Sequence, residues 1–224
     1  MSINIAIDGP AGAGKSTIAR RLAGELSFIY VDTGAMYRAM ALYFCRLGTD
    51  PADTKQVAAL CRSADIGISY ENGEQIVLLE GENVNALLRT EEVSAMASAT
   101  SAVPEVRQAL LALQKKLASE NNVIMDGRDI GTVILPNAQV KIFLTADPEV
   151  RAKRRYLELT EKGEVCSLEE ILAKIEKRDR QDTERKSAPL RQAEDAILLD
   201  TSGLTTDEVV DKIKEIVSQK LKGL

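Results

Sequence analysis

The sequence contains no histidine and no tryptophan among its 224 residues. Without histidine, three kinds of chemistry are excluded: a nucleophile activated by a Ser-His-Asp or Cys-His arrangement, an imidazole general base, and a zinc or haem site with a histidine ligand. The chemistry of this chain must therefore depend on carboxylates, lysine, arginine, hydroxyl groups and backbone amides.

Cysteines are few, and long apolar runs do not occur. The three cysteines, Cys45, Cys61 and Cys166, are far apart and form no C-x-x-C pair, so neither a disulfide framework nor a zinc knuckle is indicated. The sequence has no run of about 18 apolar residues, and its N-terminal segment lacks the basic and apolar regions of a secretory signal. We therefore expect a cytoplasmic protein with no membrane partner.

The charge balance is mildly acidic, with 29 Lys and Arg against 34 Asp and Glu and a net charge of −5. This balance argues against a protein that coats nucleic acid, because such proteins usually carry a basic stripe. It still allows a local basic site that binds a small anion. The length suits one core domain with a sizeable insertion, or two small domains.

Short apolar segments alternate with helical patterns along the chain. This alternation is typical of right-handed β-α-β crossovers, which build a parallel sheet. The sequence therefore predicts an α/β fold with a five-stranded parallel sheet flanked by helices. The predicted strands are residues 3–8, a segment that ends at Val31, 123–126, 140–144 and 196–200; the predicted helices are residues 15–26, 35–47, 105–119, 148–161, 168–186 and 207–221.

One segment interrupts the alternation. Within residues 65–84, Asn72-Gly73 lies between two strand-like runs, which is a strong signal for an antiparallel hairpin. A hairpin inside a parallel-sheet protein is best placed as an insertion, together with the helices that flank it. The predicted division of the chain is a core of residues 1–50 and 101–224 and an insertion of residues 51–100.

The strongest motif is GPAGAGKST, which fits G-x-x-x-x-G-K-S/T between the first predicted strand and the first predicted helix. Glycines let the backbone wrap a polyphosphate, and amides at a helix N-terminus supply partial positive charge. Lys15 can reach the terminal phosphates, and Ser16 can coordinate Mg²⁺. The motif lacks the third glycine of the dinucleotide fingerprint, which disfavours a Rossmann cofactor site; a plain glycine-rich turn is the alternative. The predicted ATP-binding loop is Gly9, Pro10, Ala11, Gly12, Ala13, Gly14, Lys15, Ser16 and Thr17.

A carboxylate for the metal is predicted at the end of the third strand. Val123-Ile-Met-Asp126 is an apolar strand that ends in aspartate, at the carboxyl edge of the sheet where the phosphate loop also lies. Asp126 is therefore predicted to bind Mg²⁺ together with Ser16. The alternative is that Asp126 only caps the following turn.

Arginines follow two of the predicted strands. Arg38 lies in DTGAMYR after the second strand, and Arg128 and Asp129 come directly after the third. Because these strand exits adjoin the nucleotide loop, their polar side chains can face one crevice. The alternative for each arginine is a solvated surface position.

Positive charge is concentrated in residues 151–191, which contain twelve Lys and Arg and nine Asp and Glu, a net of +3. We predict a helical lid over about residues 151–167, since a cationic flap neutralises phosphate charge and excludes water when it closes. The alternative is an ordinary solvated helix face. Two sets of residues have the i, i+3, i+4 or i+7 spacings of one helix face: Arg151, Arg154 and Arg155, and Arg178, Asp182 and Arg185.

Four motifs, GPAGAGKST, DTGAMYR, DGRDIGT and KRDRQDTERKSAPL, occur in the order and spacing of the bacterial-type cytidylate kinases, and the chain resembles that family over nearly its whole length. The resemblance implies a nucleoside monophosphate kinase that transfers the γ-phosphate of ATP, with Mg, to CMP or dCMP. It also implies a CMP-binding insertion and a lid. We expect a monomer whose partners are ATP and CMP or dCMP, with no nucleic acid.

The resemblance also implies roles for individual residues. Cytosine presents an exocyclic amine that needs an acceptor, and a carbonyl and ring nitrogen that need donors; uracil reverses part of this pattern. By position, Thr33, Arg107 and Asp129 would contact cytosine, Arg38, Arg128 and Arg185 the CMP phosphate, Ser98, Arg178 and Asp182 the sugar, and Arg154 ATP, while Lys15, Arg128 and Arg185 would be catalytic.

Two other functions are weighed from the residues. One is a kinase for another small acceptor, such as a different nucleotide or a shikimate-like alcohol. An alcohol acceptor would need a clearly placed carboxylate base, and the arginines fit a phosphorylated acceptor better. A GTP-dependent switch would need an N-K-x-D guanine motif, which does not occur in this chain.

Overall fold

The computed structural model describes residues 2–222; Met1, Gly223 and Leu224, at the ends of the predicted core, lie outside the described residues. In chain order the strands and helices are β1 (Asn4–Asp8), α1 (Lys15–Leu26), β2 (Ile29–Asp32), α2 (Thr33–Arg46), α3 (Thr54–Leu60), β3 (Ile66–Glu71), β4 (Glu74–Leu79), β5 (Glu82–Asn83), α4 (Glu91–Thr100), α5 (Pro104–Glu120), β6 (Val123–Gly127), β7 (Val140–Thr145), α6 (Pro148–Glu161), α7 (Leu168–Glu184), β8 (Ile197–Asp200) and α8 (Thr206–Leu221). A 3₁₀ turn covers Asn85–Leu87, and a short π-helix covers Ile130–Ile134. Among residues 2–222, none of the helices combines the length and the apolar character that crossing a membrane requires.

The core is a five-stranded parallel sheet in the order β2-β6-β1-β7-β8, which confirms the predicted fold class. In β1, three consecutive residues, Ile5, Ala6 and Ile7, are completely buried, because helices cover both faces of the sheet. One face packs against α2 and α5, and the other packs against α1 and α8. The carboxyl ends of β1, β2 and β6 therefore lie side by side at one edge.

A second, antiparallel sheet in the order β3-β4-β5 lies within residues 51–100. The predicted hairpin is confirmed: Asn72 and Gly73 have φ of 52° and 81°, the left-handed conformations that a tight hairpin turn requires. The structure adds the two-residue strand β5, which the sequence did not predict. Glu80 and Gly81 repeat the turn with φ of 53° and 81°. The division into core and insertion at residues 51–100 stays a prediction.

Two helix ends differ from the prediction for local reasons. Helix α2 begins at Thr33 because the Asp32 side chain caps it, accepting a 2.8 Å hydrogen bond from the amide of Ala35. Helix α7 ends at Glu184 because Arg185 is extended, with ψ of 139°. Both ends carry residues of the predicted site, so the caps help to fix where those side chains lie.

Candidate active site

The loop between β1 and α1 has the conformation of a phosphate cradle. Gly12 and Gly14 have φ of 75° and 84°, which residues with a Cβ rarely adopt. Gly14 precedes α1 and has no side chain with which to cap that helix, so its N-terminal amides are left for an anion. At the start of the loop, a Cβ on Gly9 would lie 2.0 Å from the carbonyl oxygen of Leu144. Only glycine fits there.

Lys15 is the first residue of α1, and its side chain is buried within the loop. The Nζ atom donates a 2.7 Å hydrogen bond to the carbonyl oxygen of Pro10. Burial, followed by the charge of Arg128, lowers the pKa of Lys15, while Asp126 acts in the opposite direction. The amine is therefore placed to bind phosphate oxygens that the loop amides hold.

Arg151 joins helices α6 and α7 to the phosphate loop. Its guanidinium donates hydrogen bonds of 2.9 Å to the carbonyl of Ala11 and 2.8 Å to the carbonyl of Ala146, and forms a 2.6 Å ion pair with Asp179 on α7. A Cβ on Gly12 would lie 3.3 Å from Arg151 Cβ, so the loop and α6 are in close contact. Sequence reasoning did not single out Arg151 from its neighbours.

Ser16 and Asp126 meet at the base of the loop. The Ser16 hydroxyl donates a 2.9 Å hydrogen bond to Asp126 Oδ2, and the Tyr30 hydroxyl donates a 2.9 Å bond to Asp126 Oδ1. Burial, together with the nearby charge of Asp32, raises the pKa of Asp126. A bound cation would offset both effects.

This oxygen pair fits Mg²⁺. In nucleotide sites Mg²⁺ is held by one or two protein oxygens together with substrate phosphates. Among residues 2–222 there is no cluster of three or more acidic, cysteine or histidine side chains suited to a metal. The donor set of Ser16 and Asp126 therefore suits a metal that is delivered with a nucleotide better than one held by the protein alone.

The three residues predicted to contact cytosine lie at the ends of β6 and β2. Thr33 Oγ1 donates a 2.7 Å hydrogen bond to the backbone oxygen of Asp126. The lone pairs of the Thr33 hydroxyl oxygen are therefore free to accept a hydrogen bond from a ligand. Asp129 is almost completely buried and pairs with Arg107, while Arg185 Nη2 lies 3.5 Å from its other oxygen. Arg107 also lies over the ring of Tyr37, 5.4 Å from the ring centroid.

Four arginines surround the opening next to Lys15. Arg128 Nε donates a 2.8 Å hydrogen bond to Asp182, and Arg38 forms a 3.0 Å ion pair with Asp32. Burial, followed by the charge of Arg128, lowers the pKa of Arg178 to about 10. Buried guanidinium nitrogens without a hydrogen-bond partner occur on Arg38, Arg178 and Arg185. Unpaired buried donors are costly, so these groups suit an anionic ligand with several acceptor oxygens.

The phosphate loop and the arginines line one cleft with a volume of about 230 Å³. A larger cavity of about 590 Å³ lies between α1, β2 and β4, but residues 9–17 do not line it, so we place the reaction in the smaller cleft. Within the cleft, cations outnumber carboxylates, which suits phosphate groups. The cations are Lys15, Arg38, Arg107, Arg128, Arg178 and Arg185, and the carboxylates are Asp32, Asp126, Asp129 and Asp182.

Two predicted site residues lie outside this lining. Ser98 faces Gln181, with 3.5 Å between the side-chain oxygens, whereas its neighbours Ser94 and Ser101 line the cleft. Arg154 donates to the hydroxyl and carbonyl oxygens of Thr201, at 3.1 and 2.5 Å, beyond the end of β8. Their roles in sugar and ATP binding stay predictions.

The arginines of α6 do not form one shared cationic face, contrary to their predicted grouping. Arg151 binds the phosphate loop, Arg154 binds Thr201, and Arg155 pairs with Glu158 on the surface. The reason is that residues at i, i+3 and i+4 spread over about 100° of a helix. Across this arc, α6 contacts the phosphate loop, the residue after β8 and the helix's own exposed surface.

Asp8 adjoins the candidate site, and sequence reasoning did not single it out. Its carboxylate accepts hydrogen bonds of 2.8 and 2.7 Å from the amides of Ile130 and Gly131, next to Asp129. Burial raises the pKa of Asp8 to about 6, although these two hydrogen bonds act in the opposite direction. The signal was present, because Asp8 is the last residue of one buried strand and Asp126 is one residue from the end of another.

Fold and site together define a phosphate-loop kinase. A crystal structure of an uncharacterized protein from Eubacterium ventriosum has the same fold, with a TM-score of 0.55 and 13% identity, over 97% of this chain and 99% of that one. A sequence model described as cytidylate kinase matches residues 5–219.

Full-length relatives agree with that match. A cytidylate kinase from Caldicellulosiruptor bescii is 50% identical over 99% of this chain and 98% of its own, and one from Carboxydothermus hydrogenoformans is 51% identical over 97% and 98%. The chain belongs to the cytidylate kinase family, as its motifs predicted, and is an ATP-dependent nucleoside monophosphate kinase.

Proposed function

We propose that this enzyme transfers the γ-phosphate of ATP to CMP or dCMP, giving CDP or dCDP and ADP. The observation that carries the proposal is the composition of the 230 Å³ cleft, which places the phosphate loop and the arginine cluster in one opening. An acceptor that already carries a phosphate matches this surplus of cations. A neutral acceptor would leave the surplus positive charge of these side chains uncompensated.

ATP is held by residues 9–17. The loop amides and the N-terminus of α1 contact the phosphates, Lys15 contacts their terminal oxygens, and Arg154, on α6, also contributes to ATP binding. Ser16 and Asp126 hold Mg²⁺, which, when bound, neutralises phosphate charge. The 2.9 Å contact between these two side chains supports this assignment.

The base is read by Thr33, Arg107 and Asp129. The Asp129 carboxylate and the free lone pairs of Thr33 accept hydrogen bonds from the exocyclic amine of cytosine, and Arg107 donates to its acceptors. Uracil has a carbonyl where cytosine has the amine. The carbonyl oxygen is itself an acceptor, so it would face the acceptor oxygens of Asp129 and Thr33 without a hydrogen to share. The burial of Asp129 makes this mismatch costly.

The acceptor phosphate is bound by Arg38, Arg128 and Arg185, and the sugar by Ser98, Arg178 and Asp182. Transfer needs no general base, because the attacking phosphate oxygen is already anionic near neutral pH. Lys15, Arg128 and Arg185 instead stabilise the charge on the transferred group and hold the two phosphates in line. The chain's lack of histidine is consistent with this mechanism.

The lid and the insertion complete the proposal. Arg151 ties α6 to the phosphate loop and α7, so movement of these helices would change the enclosure of ATP.

We place the enzyme in the cytoplasm, as a monomer. Release of ADP from Mg-ATP in the presence of different acceptors tests the function: rapid release with CMP or dCMP supports it, and release with neither contradicts it.

A further inference from the structure

We propose that Asp8 is a positioning residue for base recognition: its carboxylate caps the π-helix that follows Asp129, and thereby leaves the Asp129 carboxylate free for Arg107 and the base. This inference rests on the proposed function, because it concerns a residue assigned to read cytosine.

The Asp8 carboxylate binds both of the first amides of this helix. Its Oδ1 accepts from the Ile130 amide at 2.8 Å, and its Oδ2 accepts from the Gly131 amide at 2.7 Å. Asp8 itself is only 5% exposed. The first amides of a helix have no partner within it, so a carboxylate from another strand satisfies them here.

Asp129 occupies the position from which a helix is normally capped. It is the residue before the π-helix, yet its side chain makes no capping hydrogen bond. A carboxylate at that position usually accepts from the second or third amide of the helix, and the second amide, that of Gly131, is already bound by Asp8. Asp129 instead pairs with Arg107 and faces Arg185.

Gly131 lies in close contact with the Asp8 carboxylate. A Cβ at this position would lie 3.4 Å from Asp8 Oδ2, which is van der Waals contact, and 3.1 Å from Cδ of Lys141, so the further methyl groups of a β-branched side chain would crowd the carboxylate. Asp8 also directly precedes Gly9, the first residue of the phosphate loop. The end of β1 therefore supports the phosphate loop and the base-reading loop together.

Replacing Asp8 by Asn should redirect Asp129. An Asn side chain has one acceptor oxygen, and its NH₂ group would face the second amide. The uncovered Gly131 amide then competes with Arg107 and the base for the Asp129 carboxylate. We expect the preference for CMP over UMP to fall about tenfold, the scale of one hydrogen bond to a charged group.

The test compares kcat/KM for CMP and UMP in the wild type, Asp8→Asn, Asp129→Asn and the double variant. Asp53→Asn is the matched control, because the Asp53 side chain caps α3 by accepting an ordinary 3.0 Å hydrogen bond from the backbone amide of Gln56. We expect the CMP-to-UMP ratio to fall in Asp8→Asn and to be unchanged in Asp53→Asn. The double variant should be no less selective than Asp129→Asn alone, because Asp8 acts through Asp129.

Equal losses for CMP and UMP in Asp8→Asn, or additive losses of selectivity in the double variant, would overturn the inference. If Asp8→Asn does not fold, Gly131→Val disturbs the same contact from the helix side. An unchanged CMP-to-UMP ratio in folded Gly131→Val would also contradict the inference. A wild type that does not use CMP would refute the proposed function instead, so the two failures are distinguishable.

Discussion

The hydroxyl of Ser16 donates a 2.9 Å hydrogen bond to Asp126, across 110 residues of sequence. Ser16 belongs to the first turn of α1, and Asp126 lies near the end of β6. Because β1 and β6 are neighbours in the parallel sheet, the loop after one strand meets the carboxylate at the end of the other. This contact brings together the two oxygen ligands that we propose for Mg²⁺.

Replacing Lys15 by Ala should lower phosphoryl transfer by at least about 100-fold, because the cation that faces the transferred charge is lost. The fold should stay intact, since burial and Arg128 already disfavour the charged amine. Steady-state kinetics and a thermal melt check both parts. Lys174→Ala removes an exposed lysine paired with Glu91 and should change neither; near-normal turnover in Lys15→Ala would refute the role of the loop.

Replacing Asp129 by Ala should damage the use of CMP more than the use of UMP. The variant loses the acceptor for the cytosine amine, whereas uracil does not offer that donor. The ratio of kcat/KM for the two substrates reports base reading separately from any general effect of leaving Arg107 and Arg185 without their carboxylate. Equal losses for both substrates would show that Asp129 does not read the base.

Replacing Asp182 by Asn should lower the free energy of unfolding at neutral pH by roughly 1.5–3 kcal/mol, the scale of a hydrogen bond between charged groups. Burial tends to raise the pKa of Asp182, but Arg128, Arg178 and Arg185 outweigh it, so the net pKa lies below the ordinary value of 3.8. A carboxyl group with a lowered folded pKa stabilises the protein above its unfolded pKa, and this contribution is lost as the pH falls through the folded value.

Chemical denaturation between pH 7 and pH 3 measures this effect. The wild type should lose stability below about pH 4, and Asp182→Asn should lose less over the same range. An equal pH dependence in the two proteins would show that Asp182 is not held as a carboxylate by the arginines.

Two glycine substitutions should have opposite effects on stability. Gly9→Ala places a Cβ 2.0 Å from the Leu144 carbonyl oxygen at a φ of 149°, so we expect a loss of about 3 kcal/mol or more. Gly24 lies in α1, and a Cβ there meets no atom within 4 Å. Gly24→Ala should therefore stabilise the protein by roughly 0.5–1 kcal/mol. Thermal melts of both variants check the signs, and a tolerated Gly9→Ala would contradict the packing described for the loop.

Local patterns in the sequence were sufficient for much of the fold. The apolar run before Gly9 and the Asn72-Gly73 turn predicted strand β1 and the hairpin, because these signals depend on neighbouring residues only. The prediction that Asp126 lies beside the phosphate loop needed one further rule, that parallel strands end at the same edge.

Features that depend on neighbours in space could not be predicted in the same way. The capping of the Ile130 helix by Asp8 requires β1 to lie beside β6, and the contact of Arg151 with Ala11 requires α6 to pack on the phosphate loop. Sequence spacing grouped Arg151 with Arg154, whereas packing gave them different partners. Strand β5, only two residues long, lacks a periodic signal of its own.

The central claim is the choice of acceptor, and the release of ADP from Mg-ATP tests it most directly. The purified enzyme is assayed in a coupled reaction with CMP, dCMP, UMP, AMP and shikimate as separate acceptors. We expect rapid ADP release with CMP and dCMP, slower release with UMP and AMP, and none above background with shikimate. ADP release with shikimate but not with CMP, or with none of the five acceptors, would contradict it.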